Sequence, residues 1–248
     1  MQLTEHIYLA ASGKWGFGLT NLLDCNAYCL DAGNGAVLID AGSGLEPERV
    51  DAVLSSHGFS PASLRAIFLT HYHADHACGA ARLAALSGCP VWAPAPEAPA
   101  IAAGDDVATG LAPNRGGSYP ADFVYPPCPG VRGLADGETV SVGALALTAH
   151  LVPGHSLCDM VLSAKLDGRS CLFSGDAVFA NGEVLLQSLP DVCVYDYAKA
   201  VRALSALPAD ALFPGHGLFC LSGGAWHVRR CAEQFASGLV PRQFHYFA

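Results

Sequence analysis

The sequence predicts an α/β fold of layered strands and helices, and three observations carry that expectation. Apolar runs of strand length alternate with helix-period segments between residues 26 and 94. Of the 248 residues, 52% are hydrophobic and only 14% charged, a composition that supports a buried core and excludes a disordered chain. Several apolar runs end in a glycine followed by a histidine or aspartate, and layered α/β folds gather their sites where strands end. No repeat or low-complexity linker interrupts the pattern, so a single domain over residues 1–248 is expected, with each half supplying strands and helices.

The elements follow in order. NAYCL (26–30) and AVLID (36–40) read as strands joined by the turn-forming DAGNG, which makes a hairpin. GSGLEPERVDAVLSSHG reads as a helix, since Pro47 suits a first turn and Val50, Val53 and Leu54 share one face. RAIFLTH (65–71) is expected as a buried strand, His76 to Leu86 as a helix, and CPVWAP (89–94) as a short strand. From Ala95 to Ala135 the pattern gives way to Pro, Gly and aromatic residues, and such a segment inside a compact chain is more often a binding or lid region than a linker. Strand patterns return in ETVSVG, LALTAHLV and MVLSAKL, and the turn DGR (167–169) leads into SCLFSGD. DYAKAVRALSAL (196–207) is a helix, DALFPGHG (210–217) a strand and loop, and AWHVRRCAEQFASG (225–238) a closing helix.

Charge and cysteine usage narrow the function. With 22 acidic against 13 basic residues the formal charge is -9, and no basic run exceeds the pair Arg229 and Arg230. Nucleic acid and anionic membranes both need a basic footprint, so neither is an expected partner. The start, MQLTEHIYLAAS, lacks the basic and apolar regions of a signal peptide, and the apolar stretch from Leu83 to Ala103 is broken by Pro90, Pro94, Pro96 and Pro99. A cytoplasmic protein acting on a small molecule is expected, and its high apolar fraction suits a homodimer. The ten cysteines contain no CxxC pair and read as buried free thiols.

THYHADH (70–76) concentrates His71, His73, Asp75 and His76 at the end of a buried run, in a chain with 10 histidines. Imidazole and carboxylate together suit zinc, iron or manganese rather than calcium or magnesium. LVPGHS, LFSGD and LFPGH repeat the layout, each an apolar run and a glycine leading to His155, Asp176 and His216. Seven ligand-type residues at strand ends predict one site with two metals. Zinc is the first expectation, with iron and manganese as alternatives.

HxHxDH with downstream GH, GD and GH, in this order and at these intervals, resembles the metallo-β-lactamase superfamily over nearly the whole chain. The resemblance implies a four-layer αββα sandwich with the site along one edge. It implies that His71, His73 and His155 hold one metal, that Asp75, His76 and His216 hold the other, and that Asp176 bridges them. Two divalent ions about 3.5 to 4 Å apart share and acidify a water and polarise a scissile carbonyl. Asp75, beside that water, is either a general acid/base or purely a ligand.

GDAVF resembles the glyoxalase II group and the metal motifs resemble the lactonases, so a glyoxalase II-like or lactonase-like branch is expected, and departures from known patterns narrow the choice within it. Lactam-hydrolysing members usually carry cysteine or serine where Asp176 stands, the Gly-Arg signature of glutathione thioesterases is missing from ANGEVLLQSLPD, and the tyrosine of homoserine-lactone lactonases is replaced by Phe179. The expected activity is hydrolysis of a small ester, lactone, thioester or amide. An iron persulfide dioxygenase and a metal-stabilised binding protein are the alternatives. Trp15 and Phe17, with Phe179, are candidate substrate contacts, and Tyr119, Phe123 and Tyr125 read equally as substrate contacts or packing aromatics. Arg115 and Arg132 are either partners for a carboxylate or surface groups. His150 reads as structural or as a support for the ligands, and His6, His57, His227 and His245 have no ligand context.

Overall fold

The computed structural model describes residues 1–187 and 189–244. The chain divides into two compact units, Met1–Leu134 and Ala135–Ala248. Each unit carries its own sheet and helices, so the α/β class is as the alternation predicts.

The first unit holds one six-stranded sheet in sequential order: β1 (Ile7–Ala11), β2 (Ala27–Asp31), β3 (Ala36–Ile39), β4 (Leu64–Phe68), β5 (Val91–Pro94) and β6 (Val131–Leu134). The predicted hairpin is β2–β3, and β1 adds antiparallel to it. From β3 onward the pairing is parallel. Parallel neighbours need a crossover, and helix α1 (Pro47–Ser56) supplies the first. Pro47 stands in its first turn, and Val50 and Leu54 are its buried face. The four residues of β3 are buried without alternation, the signature of a parallel strand covered on both faces.

The helix predicted over 76–86 is broken in two, α2 (Ala74–Ala77) and α3 (Ala80–Ser87). The break has a tertiary cause. Gly79 donates its N–H to Gly42 O at 3.0 Å, and a Cβ on Gly79 would lie 2.1 Å from Ala41 O, so two backbones meet where only glycine fits. The strand predicted over 65–71 ends at Phe68, leaving His71 and His73 in the extended loop that follows. The irregular segment contains two short helices, α4 (Ala98–Ala103) and α5 (Leu111–Asn114), and ends in β6.

The second unit is a meander of β7 (Thr139–Val142), β8 (Leu145–Val152), β9 (Asp159–Leu166) and β10 (Arg169–Gly175), with β11 (Ala211–Pro214) added parallel to β10. Helix α6 (Val194–Leu204) crosses over from β10 to β11, and α7 (Gly224–Ala236) follows. Val152, Leu172, Val201, Leu212 and Val228 share one buried cluster of this unit, and fully burying each such side chain is worth about 1.5–3 kcal/mol. All ten cysteines are free, seven of them buried, as the absence of paired spacing predicts. Among the described residues, no helix is long and apolar enough to cross a membrane.

Candidate metal centre

In the first unit, β3 and β4 run parallel with Ile39 opposite Phe68, so the residues after each strand emerge side by side. Asp40 follows β3, in a left-handed backbone conformation with φ of 59°, and becomes the anchor of the histidine cluster. Its carboxylate accepts the Thr70 N–H at 2.8 Å and the Thr70 hydroxyl at 2.9 Å, and its Oδ2 lies 2.9 Å from His76 Nδ1. Thr70 Oγ1 lies 3.1 Å from His71 Nδ1. Since an ionised carboxylate only accepts, His76 carries its proton on Nδ1, and Thr70, having given its own proton to Asp40, accepts from His71 Nδ1. Both rings thereby turn Nε2 outward as a lone-pair atom, the tautomer a metal ligand needs.

The same loop brings the other predicted residues of this half together. His71 Nε2 is 3.0 Å from His73 Nδ1, and the rings of His71 and His76 are 4.1 Å apart. Asp75 Oδ2 is 3.7 Å from His76 Nε2, while Asp75 Oδ1 accepts the Tyr119 hydroxyl at 3.0 Å. Burial first, and then the Asp75 carboxylate, hold the Tyr119 phenol well above its ordinary pKa. Cys25, Asp40 and His76 also bring ligand atoms within 4.8 Å of one another. Burial pushes the Cys25 thiol up to about 12, and Asp40 and His76 are bonded to each other, so this triad buttresses His76 and is not read as a further ion site.

In the second unit the strand directions do the work. Strands β8, β10 and β11 point the same way, because β9 is antiparallel to both β8 and β10 while β11 is parallel to β10. His155, Asp176 and His216 follow the C-terminal ends of those three strands and therefore meet at one edge of the sheet. Asp176 Oδ2 lies 3.6 Å from His155 Nε2 and 3.4 Å from His216 Nε2. His155 Nδ1 donates to Leu185 O at 2.7 Å, which again leaves Nε2 as the lone-pair atom. Beside them Asp159 accepts the Ser156 N–H at 3.1 Å and hydroxyl at 3.0 Å, and burial raises its pKa to about 6.

The donor chemistry of both halves fits a metal. Two ligand atoms each about 2.1 Å from a tetrahedral ion stand about 3.4 Å apart. The carboxylate–imidazole separations of 3.4, 3.6 and 3.7 Å match that spacing and exceed hydrogen-bond length.

Comparison with known proteins decides the family. The model of the metallo-beta-lactamase superfamily matches residues 20–216. The chain belongs to the metallo-beta-lactamase superfamily. Among the relatives of this superfamily member, thioesterase pkgB of Emericella nidulans is 27% identical over 81% of this chain and 48% of its own length. The atrochrysone carboxyl ACP thioesterase of Aspergillus fumigatus is 26% identical over 81% of this chain and 53% of its own. The chain spans about half the length of these two relatives. Among solved structures, BJP-1, a subclass B3 metallo-beta-lactamase of Bradyrhizobium japonicum, superposes with a TM-score of 0.72 at 22% identity, over 96% of this chain and 92% of that one. That likeness shows the metallo-beta-lactamase fold, as the motif resemblance implied.

The remaining predicted residues of this superfamily member sort clearly. Trp15 is half-buried with the Lys14 ammonium 4.7 Å above its ring, and Phe17 is 41% exposed in the loop before β2. Ser12 Oγ accepts the Phe17 N–H, and Asp24 holds Thr20, Asn21 and Ser43, so this loop is tied down while Phe17 stays at the surface. Phe179 is buried, stacked on Phe244 at 4.6 Å and 6.3 Å from the His216 ring. Tyr119 stacks on Phe123, and Tyr125 is fully buried. Arg115 pairs with Asp106 of its own segment, and Arg132 lies over the Trp92 ring. His150 Nε2 pairs with Ser163 Oγ on the neighbouring strand, a structural contact. His227 Nδ1 accepts the Asn181 N–H and His57 packs on Tyr8, while His245 lies outside the described residues.

Three contributors escape the sequence reading: Asp40, Thr70 and the Tyr119–Asp75 bond. For Asp40 the sequence offers only an apolar run ending in an acid: Ala41 separates it from Gly42, whereas at His155, Asp176 and His216 the glycine directly precedes the ligand-type residue.

Proposed function

We propose that this chain is a metal-dependent hydrolase that cleaves a small thioester, with esters, lactones and amides as the neighbouring substrate classes. One observation carries the reading: buried imidazoles in each unit have their far nitrogens engaged by protein oxygens and their near nitrogens at ligand spacing from a carboxylate. Membership of the superfamily supports hydrolysis, and the names of the two fungal relatives favour the thioester among the four bonds.

We propose further that the chain acts as one domain, and that His71, His73 and His155 hold one ion, Asp75, His76 and His216 a second, with Asp176 shared. Zinc is the proposed ion, and iron and manganese accept the same donors. When bound, such ions supply a Lewis acid for the scissile carbonyl and lower the pKa of water toward neutrality. The chain's own residues do the rest. Asp40 and Leu185 O keep the imidazoles in the binding tautomer, Asp75 is the carboxylate available to hold and pass a proton, and Phe17 and Trp15 offer apolar surface to the acyl group.

A panel of simple thioesters, esters, lactones and amides, assayed with zinc and after chelation, tests this. Turnover should appear first on thioesters, vanish with chelator, and be lost in His71→Ala and Asp176→Asn together with bound metal. Hydrolysis that survives either substitution or full chelation overturns the reading.

A further inference from the structure

The segment between Ala95 and Ala135 is built to deliver one hydroxyl. Its centre is the Arg115–Asp106 ion pair, reinforced by Arg115 Nε donating to Phe123 O at 2.7 Å and Tyr125 N–H donating to Asp106 Oδ1 at 2.9 Å. Asn114 Nδ2 donates to Gly110 O at 2.8 Å, closing the turn of α5. Tyr119 sits on this framework. Its N–H donates to Asn114 O at 3.1 Å, its carbonyl accepts the Gly116 N–H at 2.8 Å, and its ring stacks on Phe123 at 5.7 Å with 13° between planes. The phenol then reaches across 44 positions of sequence to Asp75 Oδ1 at 3.0 Å.

We propose that Tyr119 is a positioning residue for Asp75, holding Oδ1 by a hydrogen bond so that Oδ2 is presented beside His76 Nε2 as a ligand pair. The inference rests on the metal-dependent reading above and deepens it. A carboxylate on a short side chain turns about χ2 through a broad well, so its two oxygens exchange roles unless one is tethered. Here Oδ1 takes the phenol while Oδ2 stands 3.7 Å from His76 Nε2, at ligand spacing. The bond is charge-assisted, and bonds of that kind orient ligands in known metal sites, where their loss weakens the metal about 10–100-fold. The segment that the sequence marks as a binding or lid region is thus also part of the support for Asp75.

The test uses the full chain, stripped of metal and titrated with Zn2+ against a chromophoric chelator. Tyr119→Phe removes only the hydroxyl and keeps the ring stacked on Phe123. It should weaken one zinc equivalent about 10–100-fold and leave the other unchanged, while the unfolding midpoint of the metal-free chain falls only by the loss of one hydrogen bond. Asp75→Ala should weaken the same equivalent, and adding Tyr119→Phe to it should change nothing further. Wild-type affinity for both equivalents in Tyr119→Phe overturns the proposal, as does an equal loss in the Asp75→Ala background, and neither touches the hydrolase reading. A wild-type chain that takes up no zinc overturns both.

Discussion

Asp40→Asn is the sharpest probe of the histidine cluster. Asparagine fills the same volume and tolerates the left-handed backbone at φ 59°, so the exchange keeps the shape and removes the charge and one acceptor. The carboxylate accepts at both ends: Oδ1 takes the Thr70 N–H, and Oδ2 takes both the Thr70 hydroxyl and His76 Nδ1. An amide accepts only at oxygen. If that oxygen faces Thr70, the NH2 group faces His76 Nδ1, which must shed its proton and move it to Nε2, the atom required for the metal. If the amide turns round, two donors meet at the Thr70 N–H. Either way at least one buried charge-assisted bond is lost, about 1.5–3 kcal/mol of stability in the metal-free chain. Zinc affinity should fall about 10–100-fold through the misplaced proton. Urea unfolding of the chelator-treated protein reads the first quantity and zinc competition the second. An Asp40→Asn chain that binds zinc as tightly as the wild type would refute the tautomer argument.

Two further outcomes are expected. Gly154, one residue before His155, has φ of 141°, and a Cβ there would lie 2.2 Å from Tyr197 Cβ. Gly154→Ala should therefore cost about 2–6 kcal/mol, from backbone strain and overpacking together, and a urea midpoint showing less than about 1 kcal/mol would contradict the packing described. Burial raises Cys25, Cys29 and Cys231 to about 12 and Cys171 to about 11, so at pH 8 these thiols stay protonated in the folded chain. Iodoacetamide followed by mass spectrometry should modify them only after unfolding; rapid labelling of Cys25 in the native protein would be the contrary result.

Most of the candidate site is legible in sequence because its residues follow apolar runs directly, and an apolar run of strand length announces where a sheet edge lies. LALTAHLV matches β8 to the residue for that reason. The strands that escape notice lack that contrast. β6 is VRGL with two of its four residues exposed, and only its pairing with β5 makes it a strand. β1 is a five-residue run, IYLAA, bounded by Ser12-Gly13 on one side alone, and its pairing with β2 is what makes it a strand. The break at Gly79 is invisible locally, because helical spacing continues through CGAAR and only the approach of Ala41 O interrupts it. Asp40 needs the β3–β4 register, and Tyr119 needs a contact 44 residues away. Periodicity reports which face is buried; it does not report which distant group a buried carboxylate will meet.

The Arg115–Asp106 pair has a consequence for how this protein can be altered. The loops and short helices from Ala98 to Cys128 close on that pair through their own backbone, and Tyr119 is the member of this folded patch that reaches Asp75. Under the role proposed for Tyr119, a protein engineer who transplants a different segment here must carry over a hydroxyl at that height to keep Asp75 Oδ1 tethered. Residues outside the tyrosine's support, such as exposed Val107 and Val124, are the positions open to variation at no such cost.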